Sequence, residues 1–281
     1  MPKISYNTNG LRKLELIEAI NKVKNFGYDG LEMSFHDNHI NPLNVSRERL
    51  LQVKKICKDI DIDIVCIATG ADKLLSSEKL LSSEPFEPSL INTEKEGRRK
   101  RIDLLKKSIA VAKYLEVPVL NFASGKLKEG MDKEKAMEYL CEGIDTLLEE
   151  DDKIILAIEP EPNFFVGTSA VAVELIKKIN NPRFRLNLDI GHVYCCENDF
   201  YGALENSLQY TRHIHIEDIK NKVHYHQIPG EGDINFQKVF EILKKYNYED
   251  YVSVELYNHS EMCDKALKES KEYLTNVIDS F

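Results

Sequence analysis

The chain has 281 residues, 42% of them hydrophobic, which is enough to bury one large core of the size that a closed α/β barrel requires. Its 47 acidic and 38 basic side chains leave a net charge of −9, which argues against a surface built to bind nucleic-acid phosphates. The opening MPKISYNTNGLRKLELIEAI runs straight into an amphipathic pattern without the apolar stretch of a signal peptide or a membrane span, so a cytoplasmic protein with no membrane attachment is expected.

Short β-rich runs alternate with longer segments of helical period, the pattern of a parallel sheet with crossover helices. Strands are expected at 3–6, 30–33, 63–67, 118–122, 154–159, 185–189, 213–217 and 251–255. The helix after the fourth strand carries Met137, Leu140, Ile144, Leu147 and Leu148 on one side and Glu142, Asp145 and Glu149 on the other. Thr168 or Ser169 before AVAVELIKKI, and Asn235 before FQKVFEILKK, read as helix N-caps. The last strand leads into a helix over 263–278. No linker or composition shift divides the chain, so the fold class is α/β, a single (β/α)8 TIM-barrel domain over 1–281. One stretch, about 70–97, is too long for an ordinary connection and is expected to form a lid-like loop. It contains KLLSSE twice, at 73–78 and 79–84, which reads as a local duplication in a tolerant surface segment. The six cysteines form no CxxC pair and read as reduced thiols.

Parity in the last four strands is the most informative feature, because alternate residues must face either the helices or the barrel interior. Leu156 and Ile158, Leu186 and Leu188, Ile214 and Ile216, and Val252 and Val254 mark the helix side. The opposite parity collects Ala157 and Glu159, Asn187 and Asp189, His213 and His215, and Ser253 and Glu255. Each strand therefore ends in one inward metal-ligand type at the face where barrel enzymes place their active sites. Glu159, Asp189, His215 and Glu255 would repel one another without a cation among them, since no inward Lys or Arg accompanies them. This oxygen-rich set suits one divalent metal ion, Mn²⁺ or Mg²⁺ first, with Co²⁺ or Zn²⁺ also accommodated.

Other residues are secondary candidates. Glu32 and His36 follow the second strand and could reach the mouth, Glu32 as a substrate contact, whereas His213 sits one layer below His215 and reads as structural. His224 and His226 share one face of an extended segment, which favours contact with substrate or with the ligands over a second metal. Arg98, Arg99, Lys100 and Arg101 form the only dense basic cluster, suited either to an anionic substituent or to a solvated helix start. Glu161 is left unassigned, because Pro160 and Pro162 bend the chain away from strand parity.

These residues resemble the xylose isomerase-like barrel superfamily, which includes sugar isomerases, ketose 3-epimerases, inosose dehydratases and the endonuclease IV proteins. The resemblance spans nearly the whole chain and rests on ILAIEPEP at 155–162, LDIGH at 188–192, HIHIED at 213–218, PGEGDINF at 229–236 and VSVELY at 252–257. It implies that Glu159, Asp189, His215 and Glu255 are metal ligands, that His192 binds substrate, and that Glu159 and Glu255 act as acid and base on opposite faces of a sugar. The ketose 3-epimerases carry a further substrate-binding glutamate where this chain has Phe165, and an arginine near the position of Asn221. The expected activity is a metal-dependent isomerase or epimerase acting on a small carbohydrate (a sugar, sugar phosphate or related polyol) through an enediolate. A lyase or dehydratase on an oxidised sugar or cyclitol is the alternative. An endonuclease is disfavoured by Ala68 and Asn121, where that family adds histidines, and a non-catalytic barrel by the intact ligand set. Nucleic acid is not an expected partner, and a homo-oligomer is left open.

Overall fold

Apolar side chains of one parity on every β-rich run must leave water, and parallel strands meet that demand by closing on themselves inside a jacket of helices. A computed structural model describes residues 1–70, 74–75 and 86–281 of the chain. Its strands are β1 (Lys3–Asn7), β2 (Gly30–Ser34), β3 (Asp63–Ala68), β4 (Val119–Ala123), β5 (Ile155–Glu159), β6 (Phe184–Asp189), β7 (Thr211–Ile216), β8 (Asp218–Lys220), β9 (Val223–Gln227) and β10 (Tyr251–Val254). All but β8 and β9 form a closed parallel barrel in the order β1-β10-β7-β6-β5-β4-β3-β2. The helices are α1 (Leu16–Asn25), α2 (Arg47–Asp59), α3 (Lys95–Leu115), α4 (Lys133–Leu148), α5 (Ser169–Ile179), α6 (Ile190–Cys196), α7 (Phe200–Ser207), α8 (Phe236–Lys245) and α9 (Cys263–Asp279). The expected eightfold barrel is therefore the observed one.

Strand parity is realised as expected. Leu156, Ile158, Leu186, Leu188, Ile214, Ile216, Val252 and Val254 are all buried in the core between strands and helices. Thr168 caps α5 by accepting from the Val171 N–H at 3.3 Å, and Asn235 caps α8 by accepting from the Lys238 N–H at 3.1 Å. Inside the barrel the filling is polar or small, as where the Ser5 and Ser253 hydroxyls meet at 2.6 Å. A small cluster of Val65, Cys66, Val119 and Ala157, closed by Tyr251, packs apart from the main core. Among the described residues no helix is long and apolar enough to cross a membrane.

Three features depart from the sequence expectations. First, the seventh strand ends at Ile216, so Glu217 lies outside it, and an antiparallel hairpin of β8 and β9 is inserted before α8. Asp218, at the start of the hairpin, holds the chain that leaves it: its carboxylate accepts from the N–H groups of Ile219, Gly230, Gly232 and Ile234 at 2.8–3.1 Å, gathering the PGEG turn around itself. Second, two short helices, α6 and α7, replace the one expected between the sixth and seventh strands. Third, the basic cluster is the helix start, one of its two expected readings, with Arg99 and Lys100 exposed early in α3, but Arg101 and Arg98 turn to the chain. Arg101 is buried and donates to the carbonyls of Phe86 and Pro88 at 2.7 and 2.8 Å, Arg98 stacks 3.5 Å from the Tyr139 ring centre, and Arg99 pairs with Glu96. The KLLSSE repeat, apart from Leu74 and Leu75, and the rest of the expected loop at 71–73 and 76–85 lie outside the described residues.

Gly30 shows how tightly the barrel closes. A Cβ there would meet Val65 Cγ1 at 2.7 Å and the Tyr251 ring at 2.9 Å. Overpacking of this kind typically costs about 1–3 kcal/mol. Gly30→Ala is therefore expected to destabilise the protein by about that amount, read as a lowered urea midpoint at unchanged m-value; an unshifted midpoint would mean that the ring and Val65 move aside freely.

Candidate metal centre and active site

The four candidate ligands, Glu159, Asp189, His215 and Glu255, meet at the C-terminal mouth, and one N or O atom of each lies within 4.8 Å of the others. Each has one polar atom tied back and the other turned to the centre. Asn121 Nδ2 donates to Glu159 Oε2 at 2.7 Å, leaving Oε1 free to face inward. Asn7 and Asn9 donate to Glu255 Oε1 at 3.2 and 2.8 Å, leaving Oε2. Asp189 Oδ1 accepts from the His192 N–H at 2.7 Å as the N-cap of α6, and Oδ2 is buried with no hydrogen-bond partner. His215 turns Nε2 to Glu32 at 2.9 Å, so Nδ1 faces Glu159 Oε1, Glu255 Oε2 and Asp189 Oδ2 at 2.9, 3.5 and 3.8 Å.

Electrostatics show what such a cluster lacks. With no cation present, burial pushes the Glu255 carboxyl up to about 8, with repulsion from Glu159, Asp189 and Glu32 adding to it and His215 opposing. Burial alone would lower the His215 value, yet Glu32, Glu255 and Glu159 hold it well above the ordinary imidazole range. Three carboxylates around one ring nitrogen, with an orphaned buried oxygen among them, fit a divalent cation in chemistry and arrangement.

Glu32 stands behind this group rather than at the mouth. It is fully buried and accepts from both His213 and His215, at 3.0 and 2.9 Å to Oε2. Burial works to raise its carboxyl, but the two imidazoles hold it below the usual carboxylate range. Glu32, expected as a substrate contact, thus holds His215 instead of bordering the cavity, and His36 does not line the cavity either. Glu217, which has the inward parity of His213 and His215, was open to the same parity reasoning but escaped it. It is buried beside Asp189, and burial and Asp189 push its carboxyl well above the usual range. The glycine of LDIGH follows from this, since a Cβ on Gly191 would overlap Glu217 Oε1.

Above the quartet opens a cavity of about 450 Å³, the size of a small-molecule site. His192, His224 and His226 line it together. His192 Nδ1 donates to the Pro160 carbonyl at 3.0 Å and His226 Nδ1 to the Glu255 carbonyl at 2.8 Å, which turns both Nε2 atoms toward His224 Nε2, at 2.9 and 3.3 Å. Those three nitrogens are also close enough to hold an ion. Burial would lower the His192 value, but Asp189, Glu161 and Glu159 raise it to about 9, whereas burial brings His226 down to about 3. Glu161, unassigned from the sequence, lines the same cavity, and burial pushes its carboxyl up to about 7. Phe165 instead faces an outer groove with Phe164 and Met137.

The chain belongs to the xylose isomerase-like TIM-barrel family, which it matches over residues 20–277. It is 23% identical over 237 residues to the L-ribulose-5-phosphate 3-epimerase UlaE of Escherichia coli, covering 83% of this chain and 78% of that one. Among solved structures it resembles the 3-keto-D-glucoside 4-epimerase YcjR of E. coli, with a TM-score of 0.79, 16% identity, and 98% and 100% of the two chains covered. It resembles equally the IolI protein solved with a zinc atom, with a TM-score of 0.80, 18% identity, and 99% of each chain covered. At these identities the structural likeness speaks for the fold.

The double hold of Glu32 on His213 and His215 generates a test. A glutamine there would set its amide NH₂ against an imidazole N–H, since His215 Nε2 lies 3.0 Å from Oε1 as well as 2.9 Å from Oε2, and would remove the charge that faces both rings. Loss of a partner behind a metal-ligating histidine typically costs about 10–100-fold in metal affinity. Glu32→Gln is expected to weaken Mn²⁺ binding by about that factor in a calorimetric titration. Unchanged affinity would show that His215 is oriented without it.

Proposed function

We propose that this member of the xylose isomerase-like barrel family is a metal-dependent sugar epimerase or isomerase that moves a proton at a carbon next to a carbonyl. The observation that carries the reading is the division within the quartet. Glu159 and Glu255 line the cavity, with side chains 9% and 12% exposed, while Asp189 and His215 lie beneath them at 0%. The two groups able to exchange protons with a substrate are thus the two that a substrate can touch.

A divalent ion held by the quartet, Mn²⁺ or Mg²⁺ by its oxygen-rich donors, would chelate two neighbouring substrate oxygens and stabilise the charge that builds on them as the proton leaves. The protein's own groups do the rest. Glu159 ends β5 and Glu255 follows β10, with β6 and β7 between those two strands in the barrel, so their carboxylates approach a bound carbon chain from different sides. Asn121 fixes the rotation of one and Asn7 with Asn9 that of the other, which aims Glu159 Oε1 and Glu255 Oε2 inward. One carboxylate removes the proton, and the other returns one to the opposite face for epimerisation. His192 and His226, each fixed through Nδ1, offer ring nitrogens to substrate hydroxyls. Likeness to an L-ribulose-5-phosphate 3-epimerase supports the sugar class.

Exchange with solvent tests the reading. L-ribulose, D-tagatose, an inosose and their phosphates, incubated with Mn²⁺-loaded protein in D₂O, should include a sugar that gains carbon-bound deuterium and returns a labelled isomer. Glu159→Gln and Glu255→Gln should each lose at least about 10²-fold in rate, with metal content measured beside it, and Asp189→Ala should lose the ion. Turnover without exchange would replace proton transfer by a hydride shift. An unsaturated product would turn the assignment to a lyase, and full rates in both Gln variants would remove the two glutamates from the chemistry.

A further inference from the structure

Apart from the quartet, Glu161 is the one carboxylate among the described residues that lines the cavity. Its position is built rather than incidental. The Glu161 N–H donates to the Val166 carbonyl at 3.2 Å, and its own carbonyl accepts from the Phe164 N–H at 2.9 Å, closing a turn in which Asn163 takes a φ of 66°. That turn is stitched to the end of β4, where the Val166 N–H donates to Ser124 Oγ at 3.0 Å and the Phe165 N–H to the Gly125 carbonyl at 3.0 Å. Pro160 and Pro162 stiffen it from both sides.

The carboxylate so placed has no hydrogen-bond donor among the described residues. Its nearest cationic partner is His192, whose Nε2 is 4.0 Å from Oε2, beyond hydrogen-bond reach. Its side chain is 19% exposed, and it borders the cavity. A largely enclosed carboxylate without donors demands one from whatever fills the space beside it. A sugar that reaches past the quartet brings hydroxyl groups there, each a donor.

We propose that Glu161 is a substrate-binding, specificity-determining residue whose carboxylate accepts a hydrogen bond from an uncharged hydroxyl of the sugar. This rests on the sugar reading of the site. The residue takes no part in the proton transfer; it selects a hydroxyl-bearing end of the sugar.

The test uses the unphosphorylated ketose of the D₂O panel that exchanges fastest, together with its monodeoxy analogues. Glu161→Ala is expected to raise KM at least about tenfold, the scale of a hydrogen bond to a charged group, with bound Mn²⁺ and melting temperature as in the parent protein. Glu161→Gln, which keeps an acceptor oxygen, is expected to lose less. One monodeoxy analogue should be handled poorly by the parent protein, yet Glu161→Ala should treat it and the full sugar alike. If KM is unchanged in both variants, or if the penalties of the missing hydroxyl and the missing carboxylate simply multiply, Glu161 does not hold that hydroxyl and the proposal falls while the epimerase reading stands. If no sugar of the panel exchanges with the parent protein, the epimerase reading falls and this proposal with it.

Discussion

Three carboxylates brought within a few ångströms of one another at the end of a barrel repel, and the surrounding structure is arranged to hold them against that repulsion. The means is the same for every ligand. One atom is engaged from behind by a neighbouring strand or helix, and the other is left pointing at the common centre. The holding groups come from β1, β2, β4 and the start of α6, so the quartet is not the property of the four segments that carry it. A closed barrel makes this distribution workable, because its strands converge on one axis and each can reach residues carried by others.

The acidic pair in HIHIED illustrates how adjacent carboxylates take opposite tasks. Glu217 is buried against Asp189 and Gly191, where it forces the glycine of one motif and presses on a ligand of the site. Asp218, one residue on, is fully engaged by four backbone N–H groups and gathers the PGEG turn. That turn follows β9, the strand on which His224 and His226 ride, and is tied back to β8 at Asp218, so one cavity wall is braced by a carboxylate that does not line the cavity.

The vertical ordering of the site gives it chemical direction. Asp189 and His215 are sealed below, whereas Glu159 and Glu255 border the cavity above. The histidines on the wall are held through Nδ1 by backbone carbonyls, which presents their Nε2 atoms inward without any movement of the chain. Under the proposed function, buried anchors, cavity-lining glutamates and wall histidines at successive levels would orient a polyol before the proton moves.

Periodicity carried most of what was legible in the sequence. Alternation of apolar and polar residues along the strands sets which side chains face inward, and that is a local consequence of backbone geometry, so Glu159, Asp189, His215 and Glu255 could be placed together before any contact was known. The caps at Thr168 and Asn235 were legible for the same reason, because a cap and its N–H partner lie within one turn. What the sequence could not decide were relations between distant segments. Glu32 has inward strand parity like the ligands, but its depth below His215 depends on how β2 and β7 sit across the barrel. Glu161 follows a proline, where strand parity ends, and only the stitching of its turn to β4 turns it into the cavity. The basic run at Arg98–Arg101 reads as a solvent or anion surface until Arg101 is seen buried on the carbonyls of Phe86 and Pro88. Local sequence therefore determined direction, and the tertiary structure determined depth and partner, because those depend on where the closed barrel brings other strands.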